Sequence, residues 1–352
     1  MKKVNKATRK NFLTYALVIA AYGVLQSMVS SGSISFAMKG MLVPICAYVV
    51  MAVSLNLTVG VLGELSLGHA GFMSVGAFTG VTAAMALKGI VASAPLRLLI
   101  GMVVGAGFAA IAGVLIGIPV MRLKGDYLAI VTLAFGEIIK SIVNNLYIGM
   151  DANGLHASFL NNTIVLGEGG RMILSGPMGV PGIKKTATFA AGFILILIAL
   201  FVIFNLVNSR AGRAIMALRD NRIAAESVGI NVTKYKLMAF VISAAIAGAG
   251  GALYGQAQNA IIATKFDFNT SILILVFVVL GGMGNMLGSI LAAALLTVLP
   301  ELLRSLNDYR MLIYAIVLIL MMLFNSAPAM IQWREQMTEK LRKTFGEERK
   351  EG

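Results

Sequence analysis

Apolar runs separated by short polar segments fill most of this chain, and within each run the apolar residues are continuous rather than alternating. A helix needs about 20 apolar residues to cross a bilayer, whereas the strands of a membrane barrel alternate over about ten. The pattern therefore predicts an all-α bundle of membrane helices. The runs cover residues 12–29, 40–60, 69–87, 96–119, 127–146, 186–207 and 237–256, a broken stretch at 271–299 and a last run at 311–324.

Composition supports a polytopic membrane protein. Of the 352 residues, 58% are hydrophobic and only 12% are charged, and the mean hydropathy is +0.87. A soluble domain of this size would not need so many long apolar runs.

Glycines spaced four residues apart let membrane helices pack closely. Such pairs occur at 76 and 80, 101 and 105, 113 and 117, 251 and 255, and 284 and 288.

Three basic clusters beside apolar runs account for much of the net charge of +14; they lie within 2–10, 210–236 and 334–343. Lysine and arginine beside membrane helices mark the cytoplasmic side, which explains these clusters better than binding to nucleic acid does. The sequence therefore predicts that the 208–236 loop is cytoplasmic. The 147–185 segment has few basic residues and is expected to be extracytoplasmic.

This charge pattern also predicts the domain organisation and topology. We expect a basic cytoplasmic N-terminus over 1–11, a transmembrane domain over 12–328 and a charged cytoplasmic tail over 329–352, as in a bacterial inner-membrane protein. Both termini are cytoplasmic only if the glycine-rich segment 281–288, GGMGNMLG, reverses the chain. The prediction is about nine or ten transmembrane or re-entrant segments. The first run could instead be a cleaved signal peptide, although its length favours an uncleaved helix.

The residues that could carry chemistry are few. His69 and His156 lie far apart, and Cys46 is the single cysteine, so no local zinc or haem pattern exists and we expect no metal site. No Gly-Lys dipeptide occurs, which excludes a P-loop and self-contained ATP hydrolysis. An intramembrane enzyme could use Glu64 and His69 as an acid/base pair, but residues five apart on a helix do not share a face. We therefore expect a protein that is not an enzyme.

Two glycine-rich breaks in the apolar runs, 60–71 and 281–288, instead suggest a transport pathway. Transporters place unwound backbone near the membrane midplane, where freed amides and carbonyls face a cavity. In the alternative interpretation, Glu64 lies in a simple turn and is solvated at the cytoplasmic surface. The candidate path residues are Glu64, Ser66, Gly68, His69, Gly281, Gly282, Gly284 and Asn285.

One further ionisable residue, Glu137, lies within a predicted helix. A carboxylate at membrane depth is a functional hypothesis by default, but Lys140 lies one turn away. A local structural pair is at least as good an explanation as a contact with substrate.

The predicted cytoplasmic loop, 208–236, mixes basic residues with periodic apolar positions and contains Gly229, which is typical of a helix stop. The apolar positions are Ile215, Leu218, Ile223, Val228 and Ile230. A short amphipathic helix between spans can lie on the membrane or dock into a groove of a partner. Because the chain has no ATPase motif, docking to a separate ATPase is the sharper hypothesis.

Four segments resemble the membrane permease of branched-chain amino acid ABC transporters, specifically the M-type subunit of the Liv system. The resemblance extends from about residue 41 to 324, in the order of the family. The segments are GELSLGHAGFMSVGAF at 63–78, RLKGDYLAIVTLAFGEI at 122–138, the stretch from AGRAIMALRD to GGALYG at 211–255, and LGGMGNMLGSILAAALL at 280–296.

The resemblance implies a permease that pairs with a homologous second permease, two cytoplasmic ATPases and an extracytoplasmic protein that binds leucine, isoleucine or valine. ATP and magnesium would then be bound by the ATPases, with no cofactor in this chain, and membrane lipids would surround it. Related permeases serve urea, amides and other amino acids, which remain alternative substrates. A secondary transporter would require ionisable relay residues in its membrane spans. Only Glu137 lies clearly inside a span, which argues against this class.

The resemblance also places the ABC-importer coupling motif, Glu-Ala-Ala-x-x-x-Gly, in the 208–236 loop. Ala224, Ala225 and Gly229 match this motif, but Ile223 stands where the glutamate belongs. The remaining polar residues expected at the ATPase interface are Arg219, Asp220, Arg222 and Glu226. The implied mechanism is alternating access, in which the loop transmits closure of the ATPases to the bundle.

Overall fold

A computed structural model describes residues 6–326, apart from 34, 124, 152–153, 162, 165, 168–169 and 305–308. Among these residues, eight helices are long and apolar enough to cross a membrane, which confirms the predicted helical membrane bundle. Long continuous apolar runs form helices here because only a helix satisfies every backbone amide and carbonyl within its own segment. The helices are α1 Lys6–Ser30, α2 Phe36–Asn56, α3 His69–Ala86, α4 Ala94–Val120, α5 Asp126–Asn144, α6 Phe189–Asn208, α9 Val232–Ala257 and α10 Phe268–Gly281.

The loop and the C-terminal part contribute the other helices. Two short helices, α7 Arg210–Asp220 and α8 Arg222–Ser227, lie between α6 and α9. Two further apolar helices, α11 Met286–Leu302 and α12 Arg310–Ser326, follow α10. The chain divides into two units, Met1–Leu295 and Leu296–Gly352, and α12 belongs to the second. The eight long helices together with α11 and α12 make ten described apolar helices, which agrees with the nine or ten segments predicted. The tail predicted over 329–352 lies outside the described residues.

Glycine contacts bring α3, α4 and α9 together at the centre of the first unit. A Cβ atom on Gly76 would collide with the carbonyl oxygen of Gly248, and one on Gly80 would lie 2.6 Å from that of Gly101. Without side chains at these positions, the helix backbones touch directly. Four of the five predicted pairs, on α3, α4 and α9, therefore have the packing role predicted for them. The pair at 284 and 288 does not, because Gly284 lies in the turn before α11 with a φ of 81°.

The N-terminal helix α1 packs on α6 through aromatic rings. Tyr22 stacks on Phe193 with ring centroids 4.2 Å apart and on Phe189 at 5.2 Å, and Tyr15 meets Phe204 edge-on at 5.6 Å. Such pairs add to the area that the helices bury against each other. These contacts agree with an uncleaved first helix, which remains a prediction.

A three-stranded antiparallel sheet occupies the segment that the sequence predicts only as a loop. Its strands are β1 Leu146–Asp151, β2 Gly154–Phe159 and β3 Arg171–Ser175, in the order β2-β1-β3. The Arg171 guanidinium donates to the carbonyl oxygen of Met85 at 2.7 Å and so ties β3 to the end of α3. Strands this short are stabilised by packing on the bundle, which periodicity alone does not reveal.

The two ends of α3 lie in two different regions of the molecule. The sheet end comprises the sheet, the last turn of α3 with Lys88 after it, the start of α4, residues 180–184 and residue 261, which bridges to Val180. The loop end comprises the segment 57–68 before α3 and the α7–α8 pair. Because α3 has 18 residues and a helix rises about 1.5 Å per residue, the ends lie about 27 Å apart.

Candidate translocation and coupling site

The helix break predicted at 60–71 is present. After α2 the chain continues as a π-helical segment, Leu57–Leu62, and ends at Gly63 with a φ of 80°. An irregular stretch then leads to His69, where α3 begins. A π-turn inside a helix frequently occurs at functional sites, since it displaces backbone groups from their regular partners.

The second predicted break lies against the first. Residues 282–285 form the turn between α10 and α11. The Gly284 amide donates to Oδ1 of Asn56 at 2.7 Å, while Nδ2 of Asn56 donates to Oγ of Ser289 at 2.8 Å. A Cβ atom on Gly60 would collide with both Gly284 N and Asn56 Oδ1. Two segments more than 200 residues apart are thus joined by one fully buried amide.

The candidate path residues of the second break are partly open. Gly281 and Gly282 are half-buried, whereas Gly284 and Asn285 are exposed. Oδ1 of Asn285 accepts a long bond from the Gly288 amide at 3.4 Å. A Cβ atom on Gly281 would collide with the backbone of Gly288, so these glycines allow α10 and α11 to approach closely.

Glu64 is half-buried and ion-paired, unlike the solvated side chain of the alternative interpretation. Its carboxylate pairs with the ammonium group of Lys236, and the two side chains are only 14% and 5% exposed. The pair joins the irregular stretch to the first turns of α9. Breaking a buried pair leaves an uncompensated charge, which is strongly destabilising.

His69 is buried and hydrogen-bonded. Its Nε2 lies 2.7 Å from Oγ of Ser54, and the carbonyl oxygen of Ser54 accepts a bond from Ser243 at 2.6 Å. Three helices therefore meet at this polar cluster. An adjacent candidate, Ser66, is buried with no hydrogen-bond partner for its hydroxyl among the described residues.

The amides at the start of α3 find partners on two other helices. Oγ of Ser271 on α10 accepts from Ala70 N at 3.2 Å, and Oγ1 of Thr132 on α5 accepts from Leu67 N at 3.0 Å. A Cβ atom on Gly68 would collide with the Thr132 carbonyl oxygen. Ser66, Gly68 and His69 are thus buried, and Glu64 is half-buried beside them in the chain.

The predicted helical loop consists of two capped helices. Oγ of Ser209 accepts from Gly212 N at 3.1 Å, and Oδ1 of Asn221 accepts from Ala224 N at 3.1 Å. Gly229 ends α8 with a φ of 84°, and the Ile230 amide donates to the Ala225 carbonyl oxygen at 3.1 Å. This geometry explains the helix stop predicted at Gly229.

Apolar residues of the loop divide into two groups. Leu218, Ala225 and Val232 form a small buried cluster, and Ile215 is also buried. In contrast, Ile223 and Val228 are 79% and 75% exposed. Sequence periodicity does not separate these groups, because α8 turns away from α7 at Asn221.

The polar residues of the loop also point in different directions. Nη1 of Arg219 donates to the Gly60 carbonyl oxygen at 3.0 Å, and its Nη2 pairs with Asp220 at 3.0 Å. Nε of Arg222 pairs with Glu226 at 3.1 Å. Arg219 therefore contacts the π-helical segment directly, whereas Ala224 and Glu226 are exposed.

Two residues of this site were not proposed as site residues from the sequence. Asn56 joins the two breaks, and Lys236 joins the first break to α9; each lies in or beside an apolar run. The isolated polar residue Asn56, in SLNLTVG, was the available signal. Glu137 pairs with Lys140, as the local interpretation predicted.

Membrane helices interrupted by glycine-rich segments that meet in the bundle define this chain as a multi-pass membrane transport component. A family model described as "Branched-chain amino acid transport system / permease component" matches residues 37–323. The chain belongs to this family, which confirms the resemblance seen in its motifs.

The curated relatives agree. The high-affinity branched-chain amino acid transport system permease protein LivM of Salmonella typhimurium is 36% identical, covering 97% of this chain and 79% of the relative. LivM of Escherichia coli is 35% identical over the same shares. The fructose import permease protein FruG of Bifidobacterium longum is 27% identical over 65% of this chain and 66% of the relative. No solved structure matches significantly.

Proposed function

We propose that this protein is the permease subunit of an ATP-driven importer for leucine, isoleucine and valine. The observation that carries the proposal is the 36% identity to a LivM permease along 97% of the chain. Relatives named for fructose, nucleoside and ribose are only 26–27% identical. The higher identity of the two bacterial LivM relatives favours the branched-chain substrates over these alternatives.

ATP hydrolysis is assigned to separate subunits. The chain has no P-loop, and the α8 tip presents exposed Ile223 and Val228 beside exposed Glu226. Isolated apolar side chains surrounded by polar groups suit the centre of a docking surface. ATPases that bind this tip would hydrolyse ATP with magnesium. The complete importer would also contain a homologous permease and an extracytoplasmic amino-acid-binding protein.

The contacts of Arg219 suggest how the loop would transmit movement. Its guanidinium holds the Gly60 carbonyl oxygen, and Gly60 packs on Gly284 of the α10–α11 turn. A displacement of α7 would therefore reach both helix breaks through two direct contacts. Packed interfaces change between discrete arrangements and do not deform continuously. A movement of the loop can therefore pass to the helix breaks through a short series of direct contacts.

The proposed topology places both termini and the loop end in the cytoplasm, with the sheet end outside. Single cysteines introduced at Ser158 and Val228, in a Cys46→Ala background, test it with a membrane-impermeant maleimide. We expect labelling of intact cells at 158 only. Labelling at 228 only would invert the topology.

Uptake of radiolabelled leucine tests the substrate. Cells that lack other leucine importers should lose a leucine flux, inhibited by isoleucine and valine, when this gene is deleted. An unchanged leucine flux would contradict the proposal. Inhibition by urea instead would favour the alternative substrates.

Coupling is tested with variants of the loop. Arg219→Glu together with Arg222→Glu, or Gly229→Val alone, should abolish uptake while membrane insertion persists. Lys234→Glu, an exposed charge change in the same loop, is the matched control and should transport normally. Normal uptake by the first variants would remove the coupling role.

A further inference from the structure

Four basic side chains gather at the sheet end. Lys88 follows α3, Arg97 begins α4, Arg171 belongs to β3, and Lys184 precedes α6. Lys184, Arg171 and Arg97 all lie close enough to Lys88 to repel its charge. Like charges gathered by four different elements are unfavourable unless an anion binds among them.

These four cations line one small cavity of about 50 Å³ together with Gln256. In the described part of the chain, none of the four forms an ion pair with a carboxylate. Gln256 is 1% exposed, and its Nε2 has no hydrogen-bond partner among the described residues. The lining residues of this cavity include four cations and no carboxylate.

One carboxylate near the cluster offsets only part of its charge. Asp151 lines a neighbouring cavity with Lys88 and Arg171, but its carboxylate binds Nε2 of His156 at 3.0 Å and the Gly167 amide at 3.3 Å. Four cations beside one carboxylate still leave an excess of positive charge.

An apolar cavity of about 520 Å³ begins beside the cluster. Ala86 lines both this cavity and the one that holds Lys88 and Arg171. From there the apolar cavity follows α3 back to Val75, between α4, α5 and the sheet. Its two polar lining residues are threonines, Thr79 and Thr82, and Phe108 at its rim is 53% exposed.

We propose that this site binds one anionic phospholipid, with its phosphate among Lys88, Arg97, Arg171 and Lys184 and an acyl chain in the apolar cavity. Basic side chains beside apolar surface are attracted to anionic lipid headgroups. The dimensions also fit: Val75 to Ala86 spans about 16 Å of helix, close to the roughly 15 Å of one leaflet of hydrocarbon.

The adjoining apolar cavity distinguishes a lipid from a small anion. A free phosphate or an amino-acid carboxylate would use the cations but leave the apolar cavity empty. A neutral lipid would fill the apolar cavity but leave the excess charge uncompensated. Only an anionic amphiphile satisfies both parts of the site.

The test is native mass spectrometry and thermal unfolding of the full-length chain, delipidated in neutral detergent and then supplied with phosphatidylglycerol. Lys88→Gln/Lys184→Gln removes two exposed cations that form no described hydrogen bond. The matched control, Lys185→Gln/Lys265→Gln, removes two exposed cations outside the cavity. We expect retention of one phosphatidylglycerol to fall at least fivefold in the first variant and to stay unchanged in the control.

A second variant tests the apolar part. Ala83→Phe partly fills the cavity and should weaken phosphatidylglycerol retention while the four cations remain. Equal retention of phosphatidylcholine, equal stabilisation by inorganic phosphate, or equal loss in both double variants would overturn the proposal. If Ala83→Phe fails to fold, Ala86→Leu provides the same test at the entrance of the cavity.

Discussion

Basic side chains at the two ends of α3 have opposite surroundings. At the loop end, Lys236 pairs with Glu64 and Arg222 with Glu226, while Arg219 binds Asp220 and a backbone carbonyl. At the sheet end, Arg97 and Arg171 donate only to backbone carbonyls in the described structure. Basic groups at the loop end are therefore paired with carboxylates of the chain, whereas none of the four at the sheet end forms an ion pair among the described residues.

This difference shows that a count of basic residues says little about their role. The 147–185 segment looked sparse in basic groups, yet Arg171 and Lys184 join Lys88 and Arg97 from other segments in space. Net charge in a loop guides topology, but the charge of a site depends on which elements meet there.

The largest effect is expected from breaking the buried pair at the loop end. Lys236→Met leaves the Glu64 carboxylate unpaired and should lower the free energy of unfolding by roughly 3–5 kcal/mol. Glu64→Gln combined with Lys236→Met should restore much of this loss, because a neutral pair needs no compensation. Thermal unfolding in detergent measures both, and a stable single variant would contradict a structural role for the pair.

A smaller loss is expected where the two helix breaks touch. Gly60→Ala places a Cβ atom against Gly284 N and Asn56 Oδ1, whereas Gly40→Ala meets no atom within 4 Å. Because backbone at the first position cannot yield easily, Gly60→Ala should cost about 1–3 kcal/mol and reduce leucine uptake. Gly40→Ala is the control, and equal behaviour of both variants would show that the breaks do not depend on this contact.

The exposed tip of α8 should affect association rather than folding. Ile223→Asn changes a side chain that is 79% exposed, so the free energy of unfolding should change by less than about 0.5 kcal/mol. Because the Ile223 side chain would be buried against the docked ATPases, its replacement should lower their affinity and reduce co-purification about tenfold. Undiminished co-purification would place the interface elsewhere, and Ile215→Asn, at a buried position, provides the destabilised reference.

The smallest effect is expected at the sheet end. Lys88→Gln breaks no described ion pair and relieves repulsion from Lys184, Arg171 and Arg97. In lipid-free detergent the unfolding temperature should stay the same or rise, in contrast to Lys236→Met. A clear fall would mean that Lys88 has a stabilising partner within the chain.

The fold and the approximate position of the site could be predicted from the sequence, but the contacts could not. Long apolar runs require helices, and the glycine-rich segments at 60–71 and 281–288 mark breaks in them. That the breaks touch depends on Asn56, whose amide reaches Gly284 and Ser289 across the bundle. The periodicity of the 208–236 loop likewise indicates helix, yet it does not show that Ile223 is exposed and Ile215 buried.

Local pattern and motif therefore determined the helical membrane fold, the positions of the breaks, the helix stop at Gly229 and the permease family. Tertiary structure decided the partners of the polar groups: Lys236 for Glu64, Gly60 for Arg219, and four separate elements for the basic cluster at the sheet end. The physical reason is that hydropathy and helix signals act within a few turns of chain, whereas burial and charge pairing depend on segments that only packing brings together.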